Sequence, residues 1–107
     1  MIRKLNEDTW LVRTHQTHRG GFEGSDYDFY IRVVPTHVHG TYSVDIRYDF
    51  VEPRYGRPAL TFDEACEHAI KEGWTPPSGN RLPVAFVKLS DARKVAASIA
   101  NSSLLLD

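Results

Sequence analysis

Four histidines fall in two close pairs, His15 and His18 in RTHQTHR and His37 and His39 in VVPTHVHGTY. Neutral imidazole is a common zinc ligand, and a structural or catalytic metal site takes three or four protein ligands. Either pair alone is half a site. Joined, His15, His18, His37 and His39 would hold zinc or another divalent metal, so the first question is whether the intervening elements bring the pairs together.

Residues 33–42 are rich in β-branched side chains and include Gly40, which reads as a hairpin turn where glycine supplies a backbone angle that side chains resist. Strands flank it. In TYSVDIRYDF, residues 41–50, Tyr42, Val44, Ile46, Tyr48 and Phe50 alternate with polar residues, and DFYIRVV, residues 28–34, alternates in the same way. A one-residue slip would turn an apolar face to solvent, which leaves two registers. A two-residue turn at His39 and Gly40 sets Arg32 opposite Arg47. A four-residue loop, His37 to Gly40, sets Ile31 opposite Ile46, Val33 opposite Val44 and Arg32 opposite Asp45. Opposite charges across a strand pair contribute roughly 0.2–1 kcal/mol and like charges cost a similar amount, so the four-residue loop is expected, with both histidines in it.

A shorter strand, TWLVRT at 9–14, comes first. If it pairs antiparallel with 28–34, residues 15–18 leave it where 28–34 begins. The 37–40 loop then lies about six residues, ~20 Å, away. That spacing favours solvated histidines over a four-histidine site.

Thr61 and Glu64 in TFDEACEHAIKEG form a capping box, and Gly73 closes the helix. Phe62, Ala65, Cys66, Ala69 and Ile70 share one stripe that must face a core. His68 borders it. Trp74 is expected to pack back on the last turn before TPPSGN ends regular structure. LPVAFVKL, 82–89, reads as a fourth strand, and Ser90 as the cap of a second helix whose face is Ala92, Val95, Ala96, Ile99 and Ser103. Leu104 to Leu106 either extend that helix, dock on the core or form the seam of a homodimer. The expected fold is α+β: a two-layer sandwich with an antiparallel sheet of three to four strands, in the order β-β-β-α-β-α, and two helices on one face. Residues 1–107 are expected to make one domain.

Thirteen Lys and Arg against fourteen Asp and Glu, interspersed, argue against a strongly basic nucleic-acid platform and against an acidic nucleic-acid mimic. No apolar run approaches the roughly 18 residues that cross a bilayer, so no membrane partner is expected. Cys66 has no cysteine partner, and MIRKLNEDTW lacks the apolar core of a signal peptide, so the expected setting is cytoplasmic.

Other chemistry is sparse. Cys66 and His68 lie about 200° apart on a helix and cannot act as nucleophile and base. Asp26 and Asp28 share a strand face, as an acid and base pair would, but strand-end polarity accounts for them. GGFEG, 20–24, lacks the lysine of a phosphate-binding loop and the spacing of a dinucleotide motif. Arg13, His15, His18 and Arg19, with Arg54, Tyr55 and Arg57, would form a modest cationic patch if their loops share a sheet end, although no aromatic ladder accompanies them. The loop 51–60, VEPRYGRPAL, and the loop at 20–28 carry the residues best suited to grip a protein: Phe22, Glu23, Asp26, Tyr27, Arg54, Tyr55 and Arg57.

Three strands before a helix opened by Thr61, Glu64 and Ala65, with Pro76 and Pro77 after it, resemble HicB-type antitoxins over about a third of the chain. That family's proline-aspartate-leucine-proline-glycine turn is replaced here by PRYGRPAL, so no role is carried over. The leading function is therefore a noncatalytic module that binds another protein, a regulator or inhibitor with no cofactor. A small metal-dependent enzyme built on the four histidines is the first alternative. An RNA or DNA binder using residues 13–19 and 54–57 is the second.

Overall fold

The computed structural model describes residues 1–16, 24–73 and 78–102. Several sequence expectations lie outside the described residues: those on His18, Arg19, Phe22, Glu23, Trp74, Pro76, Pro77, Ser103 and Leu104 to Leu106.

Five strands form one antiparallel sheet in chain order: β1 (Ile2–Asn6), β2 (Thr9–Gln16), β3 (Ser25–Pro35), β4 (Tyr42–Phe50) and β5 (Ser78–Arg81). Helix α1 (Phe62–Glu72) lies between β4 and β5 in sequence, and α2 (Leu89–Ala100) follows β5. The α+β class is as expected, with five strands in place of three or four.

The β3–β4 hairpin has the expected register, Ile31 opposite Ile46, Arg32 opposite Asp45 and Val33 opposite Val44. Thr36 N–H donates to the Thr41 carbonyl at 3.1 Å and the two threonine hydroxyls meet, closing a loop of residues 37–40 in which Gly40 has φ +80°. Helix α1 has the expected capping box: Glu64 N–H donates to Thr61 Oγ1, and Thr61 N–H to the Glu64 carboxylate. The Thr61 backbone N–H, and after it the Thr61 hydroxyl, hold the Glu64 carboxyl below its ordinary range.

Three expectations need correction. Strand β1 is an additional edge strand. Its IRKLN is exposed at four of five positions, so it lacks the apolar alternation that reveals a buried strand. The fourth strand lies at 78–81, not 82–89. Pro83 has no ladder donor, and the Ser43 hydroxyl donates to the Leu82 and Val84 carbonyls, so this segment leaves the ladder and returns as a single bridge between Phe86 and Tyr42. Helix α2 begins at Leu89 with Lys88 as cap, which places Ser90 inside the first turn.

The helices also cover opposite faces, making three layers. Residues opposite one another across strands share a face. Trp10, Val12, Ile31, Val33 and Val44 on one face bury with Ala92, Ala96 and Ala100 of α2. Leu11 on the other buries with Phe62, Ala65 and Cys66 of α1. The reason is visible in β2, where Thr9, Trp10, Leu11 and Val12 are all buried in succession. A strand buried on both sides requires a layer on each. In α1 the inward stripe is Phe62, Ala65 and Cys66, while Ile70 is 64% exposed.

Candidate functional site

The end of β2, the start of β3 and the end of β4 meet at one end of the sheet, because His15 pairs with Asp26 and Tyr27 with Phe50 in the two ladders. The segment 51–60 leaves β4 there and crosses to α1. Arg13 fixes that crossing: its Nη1–H donates to the Leu60 carbonyl at 2.9 Å.

Within the segment, Arg54 and Arg57 each donate a backbone N–H to the other's carbonyl, at 3.1 and 2.9 Å. Tyr55 and Gly56 between them have φ +53° and +73°, the pair of left-handed residues that a tight type I′ turn requires. Glycine takes such an angle freely, but a bulky side chain there is a strained exception. Pro53 and Pro58 bracket the turn and stiffen both arms. Arg54 Nη2–H donates to Asp49 Oδ1 at 2.8 Å and lies 3.7 Å from Glu52. The Tyr55 side chain, 99% exposed, stands on this braced turn without support.

Beneath the turn is a groove of about 480 Å³. Its floor is Arg13, Asp28, Tyr30 and Asp49, its wall Ala65 and His68 of α1, and its rim Arg54, Tyr55 and Arg57. Arg13 and Asp28 form a two-pronged ion pair, Nε to Oδ1 at 2.8 Å and Nη2 to Oδ2 at 2.9 Å, with both side chains nearly buried. The bond to Asp28 raises the Arg13 pKa against the opposing effect of burial. Burial first, then the nearby Asp28 and Asp49, push the Tyr30 phenol up to about 12. Burial likewise pushes the Cys66 thiol up. Phenol and thiol are therefore neutral at physiological pH, so neither is an anionic nucleophile. Asp26 and Asp28, the acid and base pair that sequence spacing offers, are each engaged by the residue directly opposite. His15 Nδ1–H donates to Asp26 Oδ1 at 2.7 Å, as Arg13 does to Asp28.

The structure thus gathers Asp26, Tyr27, Arg54, Tyr55 and Arg57 at one sheet end, with His15 among them. Tyr27 departs from the loop role expected of it. It lies within β3 on the α2 face, its ring 4.9 Å from Phe50 and 6.0 Å from Tyr48, with Phe29 completing a four-ring cluster. The four rings line up on the face away from the arginines, so they do not accompany the basic residues. Strand alternation of Tyr27 with Phe29, and of Tyr48 with Phe50, was the available signal.

His15 and the exposed His37 and His39 lie at opposite ends of β3, separated by about nine residues, or ~30 Å. The β2–β3 pairing, which sets His15 opposite Asp26, keeps His15 apart from His37 and His39. Among the described residues no three His, Cys, Asp or Glu side chains converge on a metal position. Of the cationic patch expected from residues 13–19 and 54–57, Arg13, His15, Arg54 and Arg57 lie at one sheet end, where Asp28 pairs with Arg13 and Asp49 with Arg54. Sequence reasoning missed Asp49 and Tyr30: Asp49 is engaged by Arg54 from the loop that follows β4, and Tyr30 packs beside Leu11 only once β2 pairs with β3. Among the described residues no helix is long and apolar enough to cross a membrane. No protein-family model, curated protein or solved structure matches this chain.

Proposed function

We propose that this is a noncatalytic protein-binding domain that docks through the Tyr55 end of its sheet, as a regulator or inhibitor of its partner. One observation carries the reading: a fully exposed tyrosine held at a positive φ on a turn braced by two prolines, two backbone hydrogen bonds and an arginine–aspartate pair. Backbone strain without a local structural reason concentrates at functional positions. Tyrosine flanked by arginines is the composition of an interface anchor, and a rigid turn reduces the ordering cost of binding.

The groove below supports the same reading. The two carboxylates on its floor are each engaged by an arginine, which suits a shaped receptor for a partner's side chain better than a set of groups poised for proton transfer. The test is capture of partners from lysate of the source cells by the tagged chain, with nuclease present, comparing wild type with Tyr55→Ala and His39→Ala. The expected result is a stoichiometric protein retained by wild type and His39→Ala and lost by Tyr55→Ala. Retention that vanishes with nuclease, or that ignores Tyr55, contradicts the reading.

A further inference from the structure

Beyond the groove, the α1 face of the sheet over β3, β4 and β5 carries a second organised feature. Arg32, Asp45 and Arg81 stand side by side on the three strands, and Arg47 lies two residues along β4 on the same face. The layering is ordered by charge. Asp45 is 5% exposed, whereas Arg32 and Arg81 are exposed and Arg47 partly so. Arg47 Nε–H donates to Asp45 Oδ2 at 2.9 Å, and its stem crosses Gly79 so closely that a methyl group there would sit 2.2 Å from Arg47 Cγ. Gly79 thus leaves room for the Arg47 stem to cross β5. Two rows further, Arg54 donates to the partly exposed Asp49. Asp45 holds Arg47 and Asp49 holds Arg54, while the exposed Arg32 and Arg81 flank Asp45 in the ladder, so this face carries four arginines against two carboxylates.

We propose that this arginine band, Arg32, Arg47 and Arg81 continuing into Arg54, receives an acidic peptide segment of the partner. The inference rests on the protein-binding reading and names that partner's chemistry. A guanidinium carries five N–H groups, so Arg47, bonded to Asp45 through Nε alone, and the exposed Arg32 and Arg81 beside it offer N–H groups to the paired oxygens of Asp or Glu. A phosphate backbone fits less well. Nucleic-acid affinity grows with the number of phosphates neutralised, and the band offers only four arginines before the exposed Asp26 and Glu52 bound it at the Tyr55 end, a length that matches a few carboxylates and not a long phosphate backbone.

The experiment is an NMR titration of the whole chain, reading backbone amides and arginine Nε–Hε signals at low ionic strength. The probes are a synthetic 12-residue peptide of alternating Glu and Val, a 12-nucleotide single strand and inorganic phosphate. The expected result is saturable shifts at Arg32, Arg47 and Arg81 with the acidic peptide. In the double variant Arg32→Gln/Arg81→Gln, binding should weaken about tenfold while the amide spectrum stays folded. Absence of shifts with the peptide, equal binding by the double variant, or tighter binding of the oligonucleotide overturns the proposal. Because Tyr55 stays intact here, and the arginines stay intact in the capture test, either reading can fail without the other.

Discussion

The two ends of the sheet are both closed by tight turns, yet they differ in what their residues are asked to do. At the VVPTHVHGTY end, the one position of positive φ is a glycine, the threonines satisfy the loop's backbone, and the histidines point to solvent. At the PRYGRP end, a tyrosine takes the left-handed angle, the turn is braced on charged groups, and the groove beneath is floored by an ion pair. The end with the more suggestive residues is the relaxed one. A motif of reactive side chains says less about function than a backbone held where its side chain resists being.

The largest effect is expected at the floor of the Tyr55 end. Asp28→Asn would leave the Arg13 guanidinium nearly buried without its counter-charge, at a cost of about 3 kcal/mol. Thermal melting should fall by on the order of 10–20 °C. Melting within a few degrees of wild type would show that the Arg13–Asp28 pair does not hold the floor of the groove together.

Tyr30 gives the same floor a pH signature. Its phenol ionises at about 12 in the folded chain against an ordinary 10, so the unfolded chain loses the proton first. The contribution from keeping it neutral is complete below about pH 10 and disappears as pH rises to about 12. Tyr30→Phe should therefore hold its melting temperature better than wild type across that window, in a pair of alkaline melting series.

Smaller effects separate the two turns. Gly40→Ala places a side chain at φ +80° and should destabilise by about 1 kcal/mol. Tyr55→Gly relieves strain of the same kind and should instead stabilise, by roughly 0.5 kcal/mol after glycine's entropy is subtracted. Opposite signs in urea melts are the expected outcome, and equal signs would remove the contrast. His39→Ala should change stability by less than about 0.5 kcal/mol, since the side chain is exposed and no turn angle depends on it.

What could be read from the sequence followed from local chemistry. The strand at Tyr42 to Phe50, the register that sets Arg32 opposite Asp45, the Thr61–Glu64 box and the closing Gly73 each act over a few residues and are found in the fold. Within that strand, however, Ser43 and Asp45 are buried and Tyr48 and Phe50 exposed, the reverse of what alternation alone implies. What could not be read depended on distant partners. Leu11 between Trp10 and Val12 was the trace of a second covering layer, but only the placement of α1 gives it meaning. Arg54, Tyr55 and Arg57 were legible as interface residue types. The I′ geometry that exposes Tyr55 was not, because that turn usually selects Asn or Gly at the position Tyr55 occupies.

The most direct measurement is photo-crosslinking in the source cells with p-benzoylphenylalanine placed once at Tyr55 and once at Val38, which is exposed at the opposite end. A single protein adduct of defined mass from the Tyr55 position, with none from Val38, is the predicted result. Adducts from Val38 alone, equal adducts from both positions, or none from Tyr55 would contradict docking through the strained turn.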